Sequence, residues 1–179
     1  HIASGFQALD ALTGCNGIPV GDVTLLSGRT TSGKLTLAYN ILAHAQHGQS
    51  TARAPRGKSA LTPDSVGIFD LTRSSDPDYI ARCGLDLQHT LFVRPPDPEQ
   101  AVPLLFDLLQ GYGFKALLVD GLGDLLKTRR IARSFDDALP MLARTLRQAR
   151  CALICLDEPA PPWLSWLKLG SGAIAHCAS

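Results

Sequence analysis

Short aliphatic runs alternate along the chain with longer amphipathic stretches. Val23 to Ser27, Val66 to Leu71, Leu91 to Val93, Lys115 to Asp120 and Ala152 to Leu156 are nearly continuous in apolar residues and bounded by polar or turn residues. Runs of this kind read as strands buried on both faces. Between them the apolar period lengthens to that of a helix. From Ser32 or Gly33 to about His47, the residues Leu37, Ile41 and Leu42 share one face. Asp76-Pro77 opens a short helix carrying Tyr79, Ile80 and Cys83, and Asp97-Pro98 opens another that buries Val102, Leu105, Phe106 and Leu109 up to about Gln110. In both, the aspartate caps and the proline takes a position where no N–H bond is lost. Pro103 is expected to bend or shorten the second of these helices. A further helix is predicted over Asp136 to Ala149, with Pro140 in its first turn. Ser4 is expected to cap a short helix through Leu12, and Gly170 to Ala178 to form a last strand. Gly48 to Ser65 shows no period and reads as a mobile loop inside one domain spanning residues 1–179. Strand-helix alternation predicts an α/β fold, a mainly parallel sheet in three layers with helices on both faces.

The first strand leads into Gly28-Arg29-Thr30-Thr31-Ser32-Gly33-Lys34-Leu35-Thr36, and a helix follows. Strand, Gly-x-x-x-x-Gly-Lys, helix is the sequence of a phosphate-cradling P-loop in its proper context. Its glycines let backbone N–H groups approach an anion, and the helix start adds a positive dipole end. Lys34 adds a point charge for the outer phosphates. The motif calls for Ser or Thr after the lysine, to hold Mg²⁺. Leu35 has no oxygen, and Thr36 lies about 100° further round the helix. The strand ending at Asp120 has the Walker B pattern, in which the carboxylate holds Mg²⁺, usually through water.

Bulk properties narrow the remaining choices. With 45% apolar and 18% charged residues the chain is globular, and a formal charge of +1 leaves any nucleic-acid contact to a local patch. No apolar run is long enough to span a membrane. Five cysteines without a Cys-x-x-Cys pair do not form a disulfide framework, and His44 and His47 have no second ligand pair for zinc. These features, with no signal-peptide pattern, read as a cytoplasmic protein. Lys127, Arg129, Arg130 and Arg133 form a basic cluster, and Trp163, Trp166 and Lys168 fall in a proline-bounded loop. Two readings stand for them. They suit backbone contact and base stacking on single-stranded DNA. Equally, the arginines read as a solvated face and the tryptophans as core caps or anchors for a protein partner.

The order of motifs resembles the ATPase core of the RecA/RadA recombinase superfamily over nearly the whole chain. Ile2-Ala-Ser-Gly-Phe-Gln-Ala-Leu-Asp10 resembles the family's lead-in. Ile68-Phe69-Asp70 with Asp76-Pro77, Tyr79 and Gly84-Leu85-Asp86 is similar to the bacterial segment after the second strand. Pro96-Asp97 with Glu99-Gln100-Ala101 continues the likeness. The resemblance implies a RecA-like P-loop fold and ATP or ADP as ligand, held by residues 28–36. It implies Mg²⁺ on Asp120, weakened by Leu35. Single-stranded DNA or another recombination or repair protein are the partners it implies. The family's catalytic glutamate falls on Thr72, which cannot act as a base at neutral pH. Its γ-phosphate-sensing glutamine falls on Glu158, and Glu158 or Asp70 is the remaining candidate base. The resemblance therefore implies a nucleotide-binding accessory or regulatory paralogue with impaired hydrolysis. The alternatives are an active DNA-dependent ATPase and a nucleotide-free interaction scaffold.

Overall fold

The computed structural model describes residues 1–29, 31–48, 65–157 and the strand at 174–176. Chain order is α1 (Gln7–Leu12), β1 (Val23–Ser27), α2 (Lys34–His47), β2 (Val66–Asp70), α3 (Pro77–Arg82) and β3 (Thr90–Val93). Then follow α4 (Ala101–Gly111), β4 (Ala116–Asp120), α5 (Leu122–Leu126), α6 (Arg129–Ala149), β5 (Ala152–Asp157) and β6 (Ile174–His176). Among the described residues the six strands form one sheet in the order β3-β2-β4-β5-β1-β6, every pair parallel.

Strand side chains alternate between the two faces, and each face has its own core. Val23, Leu25, Leu117, Val119, Leu153 and Cys155 meet α4, α5 and α6 on one side. Leu26, Ile68, Leu118, Ile154 and Leu156 meet α2 and α3 on the other, where Ile41 and Leu42 are fully buried as their spacing predicted. This is the three-layer α/β architecture expected from the sequence. Cys151 and Cys155 lie within the first core, and burial pushes both thiols up to about 12, so they are packing groups rather than nucleophiles.

Several boundaries differ from the sequence reading. Ser4 does not cap α1. Gly5 turns the chain at φ +84°, and the helix starts at Gln7 without a side-chain cap. Asp97 caps a one-turn 3₁₀ segment, Pro98–Gln100, and α4 starts only at Ala101. Pro103 therefore lies in its first turn, where no intrahelical N–H bond is lost. The helix expected from Asp136 instead begins at Arg129 and contains Pro140 in its interior. Ile131, Phe135, Leu142 and Leu146 form a buried stripe along it. That packing carries the helix through a proline whose position is exposed, so water can take the carbonyl that loses its N–H partner.

The parallel register brings Ser27, Asp70, Asp120 and Asp157 to the carboxyl edge of the sheet. Asp70 is almost fully buried and is satisfied from several sides. Arg94 Nε donates to it at 2.8 Å, and the Ser74 and Ser75 amides donate at 3.2 Å each. Arg94 also donates to the Ser75 carbonyl at 2.7 Å, strapping the end of β3 to the segment after β2. Burial pushes the Asp70 carboxyl up, but the Arg94 and Ser75 hydrogen bonds outweigh it and hold it below its ordinary value.

Arg94→Ala is expected to cost about 2 kcal/mol. This is less than the roughly 3–5 kcal/mol for breaking a fully buried pair, because Arg94 is half exposed. A depressed carboxylate contributes stability that is complete above its unfolded pKa, about 3.9, and is lost as pH falls below that. The gap between wild type and variant in urea unfolding should therefore hold from pH 7 to pH 5 and shrink toward pH 3.

Candidate functional site

The turn from β1 into α2 forms the candidate site. Gly33 is the N-cap of α2 at φ +79°, a left-handed conformation that glycine adopts without the steric cost a side chain would add. It lets the loop turn directly into a 14-residue helix whose N-terminus faces the loop. Lys34 is the first residue of that helix, and its Nζ folds back to donate to the carbonyls of Gly28 at 3.0 Å and Arg29 at 3.1 Å. The Gly28 amide donates to the Asp157 carbonyl at 3.2 Å, fixing the loop to the end of β5. Arg29 and Thr31 are exposed. Ser32 Oγ is buried with no hydrogen-bond partner among the described residues. A carbonyl-bound lysine, an unpaired hydroxyl and a helix N-terminus together form a set of donors suited to an anion. Thr30 lies outside the described residues.

The two positions after the lysine turn away from such an anion. Leu35 packs against the core between the sheet and α2. Thr36 Oγ1 lies 2.6 Å from the Tyr79 hydroxyl, which engages it across to α3.

Asp120, at the end of β4, is 8% exposed. Its Oδ2 accepts from Thr72 Oγ1 at 2.8 Å and from Ser74 Oγ at 3.1 Å, and the two hydroxyls are 2.7 Å apart. Each hydroxyl has one proton to give. A chain in which Ser74 donates to Thr72 and Thr72 donates to Asp120 satisfies the two shortest contacts. Backbone conformation sets up this latch. Arg73, between the two hydroxyl residues, has φ +58°, and Gly121, just after the aspartate, has φ +91°. A Cβ on Gly121 would come 2.6 Å from Thr72 Cγ2, so glycine there lets Thr72 close onto the strand end.

The remaining residues picked out by sequence fall elsewhere. Lys127, Arg129, Arg130 and Arg133 are exposed at the junction of α5 and α6, and the three arginines lie on the first two turns of α6 rather than in a loop. Arg130 pairs with Glu99 at 3.0 Å, and Lys127 pairs with Asp124. Glu158, Trp163, Trp166 and Lys168 lie outside the described residues. Sequence reasoning missed Ser74 and Arg94, whose roles depend on how the segments after β2 and β3 fold back. Asp157, which ends an apolar strand as Asp120 does, neighbours the loop through its backbone carbonyl.

Comparison with known proteins bears on the same segments. Residues 1–156 match the model of the RecA N-terminal domain family. The RecA protein of Roseiflexus sp. (strain RS-1) is 33% identical over 149 residues, which covers 83% of this chain and 38% of that protein. RecA of Chloroflexus aggregans is 32% identical over 150 residues, with 83% of this chain and 38% of that protein covered. A mitochondrial DNA repair protein recA homolog of Dictyostelium discoideum is 28% identical over 169 residues, covering 88% of this chain and 34% of that protein. The chain thus spans little more than a third of the length of these relatives. The family match over residues 1–156, on a parallel three-layer α/β fold, shows that this chain belongs to the RecA family.

Proposed function

We propose that this chain is a single nucleotide-binding RecA-family domain that holds an adenine nucleotide, ATP or ADP, on residues 28–34 and hydrolyses it slowly or not at all. We assign it an accessory or regulatory role in DNA repair or recombination. The observation that carries the reading is the state of Thr72. The resemblance puts the water-orienting glutamate at this position, yet Thr72 has a hydroxyl committed to Asp120 at 2.8 Å. The cradle for phosphate is retained, while the group that would orient an attacking water is replaced.

On binding, Lys34 would exchange two neutral carbonyl acceptors for anionic phosphate oxygens. Such charge-assisted bonds are roughly twice as strong as neutral ones. Ser32 Oγ and the amides at the start of α2 would supply the remaining donors. Lys127, Arg129, Arg130 and Arg133 offer a separate basic surface at the start of α6, suited to a nucleic-acid backbone. Single-stranded DNA is the partner proposed for it. Among the described residues, no helix is long and apolar enough to cross a membrane.

Thermal unfolding with ADP or ATP tests the nucleotide reading. A ligand present at about 100 times its dissociation constant adds roughly 2.7 kcal/mol, a rise of a few degrees in a domain of this size. The rise should disappear in Lys34→Ala, with phosphate release near background in both proteins. No shift with either nucleotide would sink the reading.

DNA contact has its own test in fluorescence anisotropy with an oligonucleotide. Removing two phosphate contacts with Arg129→Ala/Arg133→Ala should lower the salt slope of binding by about 1.4, at about 0.7 per contact on single strands. An unchanged slope would exclude these arginines from the interface.

A further inference from the structure

The residues around the loop do not fit a bound divalent cation. Mg²⁺ requires close to six oxygen ligands in octahedral array, normally supplied by the nucleotide's phosphates, water and one or two protein oxygens. The position that should supply a hydroxyl is Leu35, a partly buried side chain packed against the core. The next hydroxyl, on Thr36, is held by Tyr79 at 2.6 Å. The strand-end carboxylate that would hold the ion's water shell, Asp120, accepts from Thr72 on Oδ2, and Ser74 Oγ crowds the same oxygen at 3.1 Å. Asp70 is spent on Arg94 and two amides. Among the described residues there is no group of three or more His, Cys, Asp or Glu placed to hold a metal ion.

The donors for an anion, by contrast, are present. Lys34 needs only to leave two carbonyls, and the Ser32 hydroxyl is buried without a partner among the described residues. The α2 N-terminus adds its partial positive charge.

We propose that this loop takes the polyphosphate of a nucleotide as the free anion, without Mg²⁺. The inference rests on the nucleotide-binding reading above and specifies the chemical form of the ligand. In free solution Mg²⁺ bridges the outer phosphates and cancels part of the charge that Lys34 and the helix end would meet. A site that offers the ion no ligand gains nothing from it. Mg²⁺ then acts here as a competitor for the nucleotide, the reverse of its role where a P-loop hydroxyl and a free carboxylate share it. The Thr72–Ser74 latch is the structural counterpart of that change, since it occupies the Oδ2 oxygen of Asp120 with a protein hydroxyl.

The test is calorimetric titration of the whole chain with ADP and with ATP, once in EDTA and once in millimolar Mg²⁺. The dissociation constant in EDTA should fall below that in Mg²⁺. A constant that Mg²⁺ leaves unchanged or tightens overturns the proposal while leaving nucleotide binding intact. No binding in either buffer overturns the nucleotide reading itself, and this inference with it.

Two variants address the cause. Leu35→Thr restores an oxygen at the loop, and Thr72→Ala/Ser74→Ala releases Asp120 at two exposed positions that leave the core untouched. Each should acquire a several-fold tightening by Mg²⁺ that the wild type lacks. If neither does, the residues named here are not what sets the metal dependence, and the proposal falls.

Discussion

Two carboxylates, Asp70 and Asp120, end neighbouring strands in register and are nearly buried. A buried charge must be paired or fully hydrogen-bonded, because the penalty for leaving water is several kcal/mol per ion. The segment that follows β2 meets this requirement almost alone. Its amides at Ser74 and Ser75 serve Asp70, while its Thr72 hydroxyl, itself backed by Ser74, serves Asp120. Arg94 from the end of β3 neutralises Asp70 and anchors the same segment through the Ser75 carbonyl. One short stretch therefore satisfies both acids, and its left-handed residue at Arg73 is the backbone strain that this double duty imposes.

The arrangement has a functional consequence. In a P-loop ATPase, charge at the strand edge is left available for metal and water. Here much of it is used within the protein. A hydroxyl can donate to a carboxylate, but it cannot take a proton from water at neutral pH. The loop on the other side of the edge keeps its donors, since Lys34 and Ser32 do not depend on Asp120. Under the proposed reading, phosphate binding and hydrolysis would be separable in this fold, because binding would draw on the start of α2 and hydrolysis on the ends of β2 and β4.

Both halves stand on the same parallel sheet. Every strand points its carboxyl end to one edge, so residues far apart in sequence converge without long loops. The two faces of the sheet carry separate cores, α6 packing on one and α2 on the other. This explains how α6 runs through Pro140, and also how the arginines at its start stay exposed while Ile131 and Phe135 are buried.

The sequence by itself determined the α/β class, five of the six strands to within a residue or two, the loop of residues 28–34 and the two Asp-Pro caps. These follow from local rules: a run of apolar residues, a period, a glycine that must take positive φ, a proline without an N–H. It placed the start of α6 too late and expected a capped α1. Local signals such as Pro140 and Ser4 favoured those boundaries, and burial of Ile131 and Phe135 and the turn at Gly5 overrode them. The latch was out of reach for a different reason. Thr72, Ser74 and Arg94 have no pattern that links them to Asp120 or Asp70. Their partners lie 46 and 48 residues away across β4, or 24 residues away across β3. Only the register of a folded sheet brings those strand ends together, and only burial makes their hydrogen bonds obligatory.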